Sequence, residues 1–485
     1  MAKDNIRNAV FTGLSWKLAE RIGAHLVTLL VSILLARLLT PDDFGTIALV
    51  NVFIALANVF VVSGFGNALI QKKNADQVDF SSVFFFNLGF TTLVYLTIFC
   101  TAPVLADYFG IPIICTVFRV LGLRIIVAGI DSVLHAYVSR MMMFRKFFFS
   151  TLSGTLGSAV VGIAMAYLGY GIWALVAQYL FSSIISSAAL WFIVEWRPKA
   201  TFSRRRTMEL FQFGWKLLCS RLLDTGYQEL INLVIGKRFS FADLGYYNNG
   251  NRYAGFIITN INSSISSVLF PALSKYQDDK VKLKAMVRRS LKTSSYLVFP
   301  ALTGLIVVAK PLVICLLTEK WLPSVPFLQI SCIALAFHPI HTANLEAIKA
   351  VGRSDLFLQL EIIKKIFGIA VMLLVIDYGV FAIAWSMVVT TLFSSIINAY
   401  PNRRILGYQY SEQIMDILPA FLLSVFMGGI TYLIGLFIFS LPTLLLLIVQ
   451  SMVGASVYIV MSWVLKIKSF IYVRQTLGRM LQKVR

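Results

Sequence analysis

Nine basic residues sit inside stretches that are otherwise apolar: Lys17, Arg21, Arg119, Arg124, Lys216, Arg221, Arg252, Lys364 and Lys365. A charge at the centre of a bilayer costs about 2.5–3.5 kcal/mol on insertion scales, so ionisable groups kept at that depth are the first candidates for chemistry. Lys17, Arg21 and His25 recur at i, i+4 and i+8 and share one helical face. A second stretch carries Lys216 and Arg221, then Asp224 and Gln228 one turn apart. The planar fork of arginine suits bidentate contact with an anionic group. Lys17 and Lys216, and likewise Arg21 and Arg221, have the alternative of snorkelling to an interface.

Two further sets pair acids with bases. Glu361 stands three and four residues before Lys364 and Lys365; the set reads either as a self-neutralising structural pair or as a contact for cargo or coupling ion. Asp131 and His135 stand one turn apart, a spacing suited to a titrating pair for H+ or Na+ coupling, or equally to a hydrogen bond between helices. No nucleophile constellation, glycine-rich phosphate loop or metal-ligand set is present in the sequence, so the expectation is a protein that is not an enzyme and carries no cofactor. The five cysteines (Cys100, Cys115, Cys219, Cys315, Cys332) lack metal-ligand spacing and are expected to be buried small hydrophobes.

The elements that must position these groups follow from composition. Of 485 residues 58% are hydrophobic and 13% charged, with mean hydropathy +0.80; a soluble chain carries roughly 25% charged residues. A water-soluble fold would have to hide nearly all that apolar surface in one core, so the bilayer is the simpler solvent. Runs of about 20 apolar residues predict fourteen helices, at 10–39, 44–70, 80–103, 112–139, 147–168, 171–194, 209–237, 243–272, 291–317, 323–349, 356–376, 379–400, 412–440 and 442–465. Met1–Asn8 is short and polar and no cleavage site follows it, so the first span is expected to remain.

Hydropathy alone hesitates at helices one, four, seven and eight, which hold charges. Orientation is an independent check. With both termini in the cytoplasm, inside segments hold 29 of the 43 Lys and Arg; outside segments hold Arg37, Lys237, Arg238, Lys310 and Lys320. Such a bias is the positive-inside pattern. It also accounts for the net charge of +21 without nucleic acid, because basic loops face an anionic leaflet. The tail after Leu465, with Phe470, Ile471 and Tyr472 among its charges, is expected to lie on that leaflet as an amphipathic helix.

The chain also repeats itself. Trp16-Lys17-Leu18 recurs as Trp215-Lys216-Leu217, and Asp43-Phe44-Gly45 as Asp243-Leu244-Gly245. Leu180-Phe181-Ser182-Ser183-Ile184-Ile185 recurs as Leu392-Phe393-Ser394-Ser395-Ile396-Ile397 at an offset of 212, whereas the turns Tyr170-Gly171 and Tyr378-Gly379 differ by 208. The mismatch reads as one extra helical turn or a chance match. The expected organisation is an N-terminal six-helix lobe (1–194), a basic linker (195–208), a second six-helix lobe of the same orientation (209–400), helices thirteen and fourteen (401–465) and a basic tail (466–485). Parallel repeats suggest a transporter with its path between lobes. As helices one and seven are repeat equivalents, their charged faces are expected to line one cavity.

On these motifs the chain resembles the Wzx-type polysaccharide flippases, in the colanic-acid-exporter branch of the multidrug/oligosaccharidyl-lipid/polysaccharide exporter superfamily. The residues that carry the resemblance are Leu35-Ala36-Arg37-Leu38-Leu39-Thr40-Pro41-Asp42-Asp43-Phe44-Gly45, Gly64-Phe65-Gly66-Asn67-Ala68-Leu69-Ile70-Gln71, Leu269-Phe270-Pro271-Ala272-Leu273-Ser274-Lys275-Tyr276 and Glu319-Lys320-Trp321-Leu322. The resemblance implies an all-α fold of two lobes in a V. It implies alternating access in the bacterial inner membrane, moving undecaprenyl-pyrophosphate-linked glycan towards the periplasm, with the polysaccharide polymerase machinery as a partner. Arg21, His25, Arg221, Arg252, Arg124 and Lys364 become candidate contacts for pyrophosphate or glycan, and Asp131, His135, Asp224 and Glu361 candidates for coupling. A cation-coupled multidrug antiporter and a lipid II flippase are the alternatives within the superfamily; basic groups outnumbering acids inside the spans disfavour the antiporter.

Overall fold

Backbone amides in hydrocarbon have no water to bond, so each apolar run must satisfy itself as a helix. A computed structural model of the chain describes residues 23–24, 26–62, 65–72, 75–141, 143–277, 279–472 and 474–475. In order these form α1 (Leu26–Leu38), α2 (Pro41–Val62), α3 (Phe65–Gln71), α4 (Gln77–Phe109), α5 (Ile113–Arg140), α6 (Phe144–Tyr167), α7 (Ile172–Ile193), α8 (Arg204–Arg238) and α9 (Phe241–Ser274). There follow α10 (Lys280–Val307), α11 (Ala309–Leu317), α12 (Ser324–Leu335), α13 (His338–Ala350), α14 (Ser354–Val375), α15 (Val380–Ile405), α16 (Tyr410–Phe437) and α17 (Thr443–Val464). The expected spans are helical over most of their described residues, but the ninth is interrupted at Val308 and the tenth at Ala336 and Phe337. Among the described residues ten helices are long and apolar enough to cross a membrane by composition alone. Helices seven, eight and eleven of the sequence reading fall short and carry ionisable groups, and the first is described as a continuous helix only over Leu26–Leu38.

The outer surface has the bilayer as its solvent. Phe192, Leu374 and Phe437 are 89%, 74% and 85% exposed, which in water would be an aggregation hazard. Of the cysteines only Cys332 is buried; Cys100 and Cys219 are exposed on α4 and α8, a correction that follows from the same fact, since an apolar residue here need not face inward.

Two compact units divide the chain at Gly245 and Tyr246, one turn into α9. In the first unit α6 and α7 pack through small residues: an ideal Cβ on Gly154 would lie 1.8 Å from Ser186 Oγ, and Ser150 Oγ donates to the Ser186 carbonyl at 2.7 Å. α4 and α5 are tied by Asn87 Nδ2, which donates to buried Ser132 Oγ at 2.8 Å. In the second unit, Leu283, Val287 and Leu291 of α10 share a core with Ile417, Leu423 and Met427 of α16. Tyr296 OH donates to Ser462 Oγ at 2.9 Å, and Tyr458 OH to the Tyr296 carbonyl at 2.9 Å, locking α17 to α10.

The repeat is visible in local geometry. Thr40 Oγ1 donates to Asp43 Oδ2 at 2.7 Å at the start of α2, and Ser240 Oγ donates to Asp243 Oδ2 at 2.7 Å at the start of α9. These two starts cross: a Cβ on Gly45 would meet the Phe241 carbonyl oxygen at 1.8 Å, and one on Gly245 the Pro41 carbonyl oxygen at 2.2 Å. Only glycine lets the backbones approach so closely. Gly171 and Gly379 hold positive φ, 54° and 99°, before α7 and α15. α15 is a continuous helix of 26 residues against 22 for α7. The four-residue difference between offsets 208 and 212 is therefore one extra helical turn. Contacts place α8 with α1–α7, while the sequence repeat starts anew near residue 209; the repeat tracks similar segments and the units track packing, so their edges need not coincide.

The segment 195–203 is extended but not loose. Buried Trp196 donates through Nε1 to Gln77 Oε1 at 2.7 Å, and Gln77 Nε2 donates to the Arg197 carbonyl at 2.7 Å. The Lys199 and Ser203 amides donate to Ser81 Oγ and Ser82 Oγ at 3.0 and 2.9 Å. Asp76 and Asp79 form a capping box at the start of α4. Arg206 Nη1 binds both Asp76 oxygens at 2.7 Å, and Lys72 Nζ binds Asp79 at 2.8 Å. The Arg206 guanidinium, helped by the Asp79 amide, holds the Asp76 carboxyl down at about 2.

Candidate functional site

On α5, Arg124, Asp131 and His135 follow one another at seven and four residues. At about 100° per residue these offsets keep all three within roughly 20° of one line along the helix. Arg124 lies eleven residues into the 28-residue helix, some 17 Å from its start along a length of about 42 Å, which is lipid depth.

The stripe opens into a cavity of about 420 Å³. Its walls are hydroxyl-rich: Ser132 and Ser139 of α5, Ser150 and Thr151 of α6, and Ser182, Ser183 and Ser186 of α7, with Asn58 of α2 at one side. Close packing at Gly154 is what brings the α7 serines there. Arg124 Nε donates to Ser183 Oγ at 3.2 Å, and its guanidinium carbon lies 5.3 Å from the centre of the Tyr179 ring. No carboxylate among the described residues pairs with Arg124. Asp131 accepts from Ser187 Oγ at 2.7 Å. His135 is exposed to the cavity and stacks on Phe147, ring centres 4.8 Å apart. The site thus offers an uncompensated cation, a carboxylate, an imidazole and many hydroxyls in one chamber inside an apolar helix bundle. Such a set can hold an anionic group and hydrogen-bond sugar hydroxyls.

Three of the residues singled out from sequence, Arg124, Asp131 and His135, are brought together here. Arg21 and His25 lie outside the described residues, as does Lys17; Lys216 falls on α8, its side chain also outside them. Arg221 is exposed on α8 and Asp224 half-buried on the same helix; Arg252 is half-buried on α9. Lys364 Nζ binds Glu361 at 2.5 Å on α14, so that set is a pair within its own helix. Arg119 is outside the cavity: its Nε donates to the Phe99 carbonyl at 3.2 Å, and its guanidinium covers the Phe99 ring.

Sequence reasoning missed a second polar cluster, in the second unit. The helix breaks between α12 and α13, and Pro339 follows His338 at the restart. His338 Nδ1 meets Asn262 Nδ2 at 3.1 Å; His341 Nδ1 meets Asn398 Nδ2 at 2.9 Å, and its Nε2 meets the Thr391 carbonyl at 3.2 Å. One turn on, Asn344, Asn402 and Gln413, all fully buried, bond one another: Asn344 Nδ2 donates to Gln413 Oε1 at 2.7 Å and Asn402 Nδ2 to Asn344 Oδ1 at 2.7 Å. The i, i+3 histidines beside a proline inside an apolar run were the available clue.

A bundle of membrane-spanning helices that turns Arg124, Asp131 and His135 into a hydroxyl-lined chamber is built as a membrane transporter. Residues 34–326 match the family described as polysaccharide biosynthesis protein, and the chain belongs to that family. It is 25% identical over 445 residues to the succinoglycan biosynthesis transport protein ExoT of Rhizobium meliloti, covering 92% of this chain and 86% of that one. It is 24% identical to the lipopolysaccharide biosynthesis protein WzxC of Escherichia coli, covering 89% of each, and 22% identical to the teichuronic acid biosynthesis protein TuaB of Bacillus subtilis, covering 89% and 90%. Among solved structures, the inward closed conformation of the lipid II flippase MurJ superposes with a TM-score of 0.77 at 15% identity, covering 93% of this chain and 98% of that one. An inward-facing multidrug transporter of the MATE family superposes at 0.62 and 15% identity, covering 79% and 94%. These likenesses show the fold, which the chain shares with that flippase and that transporter.

Proposed function

We propose that the chain is a flippase that carries polyprenyl-pyrophosphate-linked oligosaccharide from the cytoplasmic to the periplasmic leaflet of the bacterial inner membrane, by alternating access between the 1–194 and 209–400 repeats. The observation that carries the proposal is Arg124: a guanidinium at lipid depth, facing a chamber, with a serine and a tyrosine ring for company instead of a carboxylate. Such a charge is expensive to keep, and an anionic cargo passing beside it gives the reason. Diphosphate oxygens take the guanidinium's fork, the serine wall meets sugar hydroxyls, and the polyprenyl tail stays in lipid. Relatives named for succinoglycan transport and for lipopolysaccharide and teichuronic acid biosynthesis support a glycan cargo. The excess of Lys and Arg on one set of loops supports cytoplasmic termini.

Arg21, His25, Arg221, Arg252 and Lys364 are proposed as further cationic contacts along the path. Asp131 and His135 sit in the same chamber as Arg124 and are proposed as the groups whose protonation couples transport, with Asp224 and Glu361 as further candidates; no cofactor and no catalytic step is proposed. Delivery to a polymerase on the far side completes the scheme.

Expression in a strain lacking its polysaccharide flippase tests the reading. Surface glycan should return with the wild-type chain and fall about tenfold or more with Arg124→Ala, given 1.5–3 kcal/mol for hydrogen bonds to a charged group. Drug resistance without surface glycan would reassign the chain to multidrug export.

A further inference from the structure

A second basic site lies in the second unit, along the first half of α10. Arg288, Arg289 and Lys292 project from the first turns of α10, and Lys468, Ser469 and Tyr472 come from the segment after α17; together they enclose a recess of about 340 Å³. The segment after α17 is anchored rather than dangling. Ile467 and Phe470 pack against the core of the unit, and Ser469 Oγ donates to the Lys292 carbonyl at 3.4 Å.

The charges do not cancel. Asp416 of α16 binds Arg288 through Oδ1 at 2.8 Å and Lys292 at 2.8 Å, and also accepts from Tyr408 OH at 2.8 Å. Neighbouring Lys284 pairs with Glu412 at 2.8 Å. Among the described residues one carboxylate therefore serves two cations of the recess, leaving Arg289 and Lys468 in excess. Arg289 lies flat on the Tyr472 ring, its guanidinium carbon 3.8 Å from the ring centre, which fixes the fork in place while its N–H edges stay available.

The surroundings say which anion fits. Arg289, Thr293 and Leu297 share one face of α10 at i, i+4 and i+8, so the basic recess continues along the helix into an apolar side chain that is 43% exposed. On the other wall, Trp463 and Val464 at the end of α17 are 64% and 56% exposed. Charge below and exposed hydrocarbon contact above are the two halves of a phospholipid. We propose that this recess binds the phosphate of an anionic phospholipid of the inner leaflet, with Arg289 and Lys468 holding the phosphate oxygens and Leu297 and Trp463 meeting the acyl chains. The assignment to the inner leaflet rests on the orientation proposed above; the site itself does not. Its role is to pin the segment after α17 to the membrane surface, apart from cargo transport.

Native mass spectrometry and thermal melting of the full chain in nanodiscs test this. Discs of phosphatidylcholine alone are compared with discs of phosphatidylcholine and cardiolipin, for wild type, R289Q/K468Q and R289K/K468R. Wild type should retain cardiolipin through detergent extraction and melt higher in the mixed discs. R289Q/K468Q should lose about fivefold in retention per charge removed, with an unchanged melting point in phosphatidylcholine; R289K/K468R should keep most of it. If R289Q/K468Q melts early in phosphatidylcholine, the wild type under rising salt replaces it, since its cardiolipin-dependent shift should shrink as charges are screened. Equal retention by wild type and R289Q/K468Q, or a salt-independent shift, overturns the site. A shift reproduced in full by inorganic phosphate overturns the lipid. Nanodiscs expose both leaflets, so failure here is distinct from failure of the orientation or of the flippase reading.

Discussion

The chamber of the first unit and the histidine cluster of the second are built from similar parts and left in opposite states. His338 and His341 stand 203 and 206 residues after His135, close to the offsets that relate the N-capping aspartates of α4 and α10 (Asp76 and Asp279) and the turn glycines 171 and 379. The serine pair of α7 has its counterpart on α15. In the first unit these elements leave polar groups facing open space: Arg124 has one hydroxyl and one ring, and His135 is uncovered on one side. In the second, Asn262, Asn398 and the Thr391 carbonyl close over both imidazoles. The second unit has no arginine between residues 322 and 337, where the counterpart of Arg124 would fall, and Ser395 instead meets Leu392 O at 2.7 Å and Tyr410 OH at 3.0 Å. Similar polar residues thus line an open chamber in one unit and close into a hydrogen-bonded clasp in the other, and residue type alone does not say which.

If that contrast is right, the largest effect belongs to Arg124. Arg124→Ala should cut translocation per folded molecule about tenfold to hundredfold, measured as flux of a lipid-linked saccharide, with little change in melting. Gly154→Ala comes next. Its new methyl would press on Ser186 Oγ and lie 2.7 Å from the Ser182 carbonyl, forcing α6 from α7; overpacking of this kind costs about 1–3 kcal/mol. Melting should drop by several degrees and flux should fall with it, because the chamber's serine wall moves.

His341→Leu should behave in the reverse sense to Arg124→Ala. It strands Asn398 and costs about 1–3 kcal/mol, lowering the melting temperature while flux per folded molecule holds. A flux loss as deep as that of Arg124→Ala would erase the distinction between the two regions.

The smallest effect is at the segment 195–203. The Asp76 carboxyl sits at about 2 against an ordinary 3.8, so its contribution is complete above the ordinary value and is lost as pH falls through about 2. Hydrogen exchange of residues 195–206 should stay slow down to about pH 4 and quicken below it. Asp76→Asn should remove most of that pH dependence at a cost under about 1 kcal/mol, since the Arg206 pair is half-exposed.

Much of the fold was legible because the bilayer imposes length and apolarity on each span. Helices seven, eight and eleven were found despite their charges, since dropping any one would have reversed the sides of the basic loops. The repeat was legible in short motifs, and its four-residue discrepancy resolved into a longer α15. Within the site, Arg124, Asp131 and His135 were visible as groups of one helix, yet the chamber around them was not, because Ser183 and Ser187 come from α7, 59 and 56 residues on. The histidine cluster was invisible for the same reason: Asn262 lies 76 residues from His338, and Asn398 57 from His341. The segment 195–208 looked like a free basic linker because its partners, Asp76, Gln77, Ser81 and Ser82, lie about 120 residues earlier at the start of α4.

The central claim is that Arg124 is kept in lipid for an anionic headgroup. Its most direct test is binding of the purified chain to a polyprenyl-pyrophosphate glycan and to the matching neutral polyprenyl glycoside, with and without Arg124→Gln. Wild type should prefer the pyrophosphate by about tenfold or more, and Arg124→Gln should bind both alike. An undiminished preference in Arg124→Gln would contradict the account.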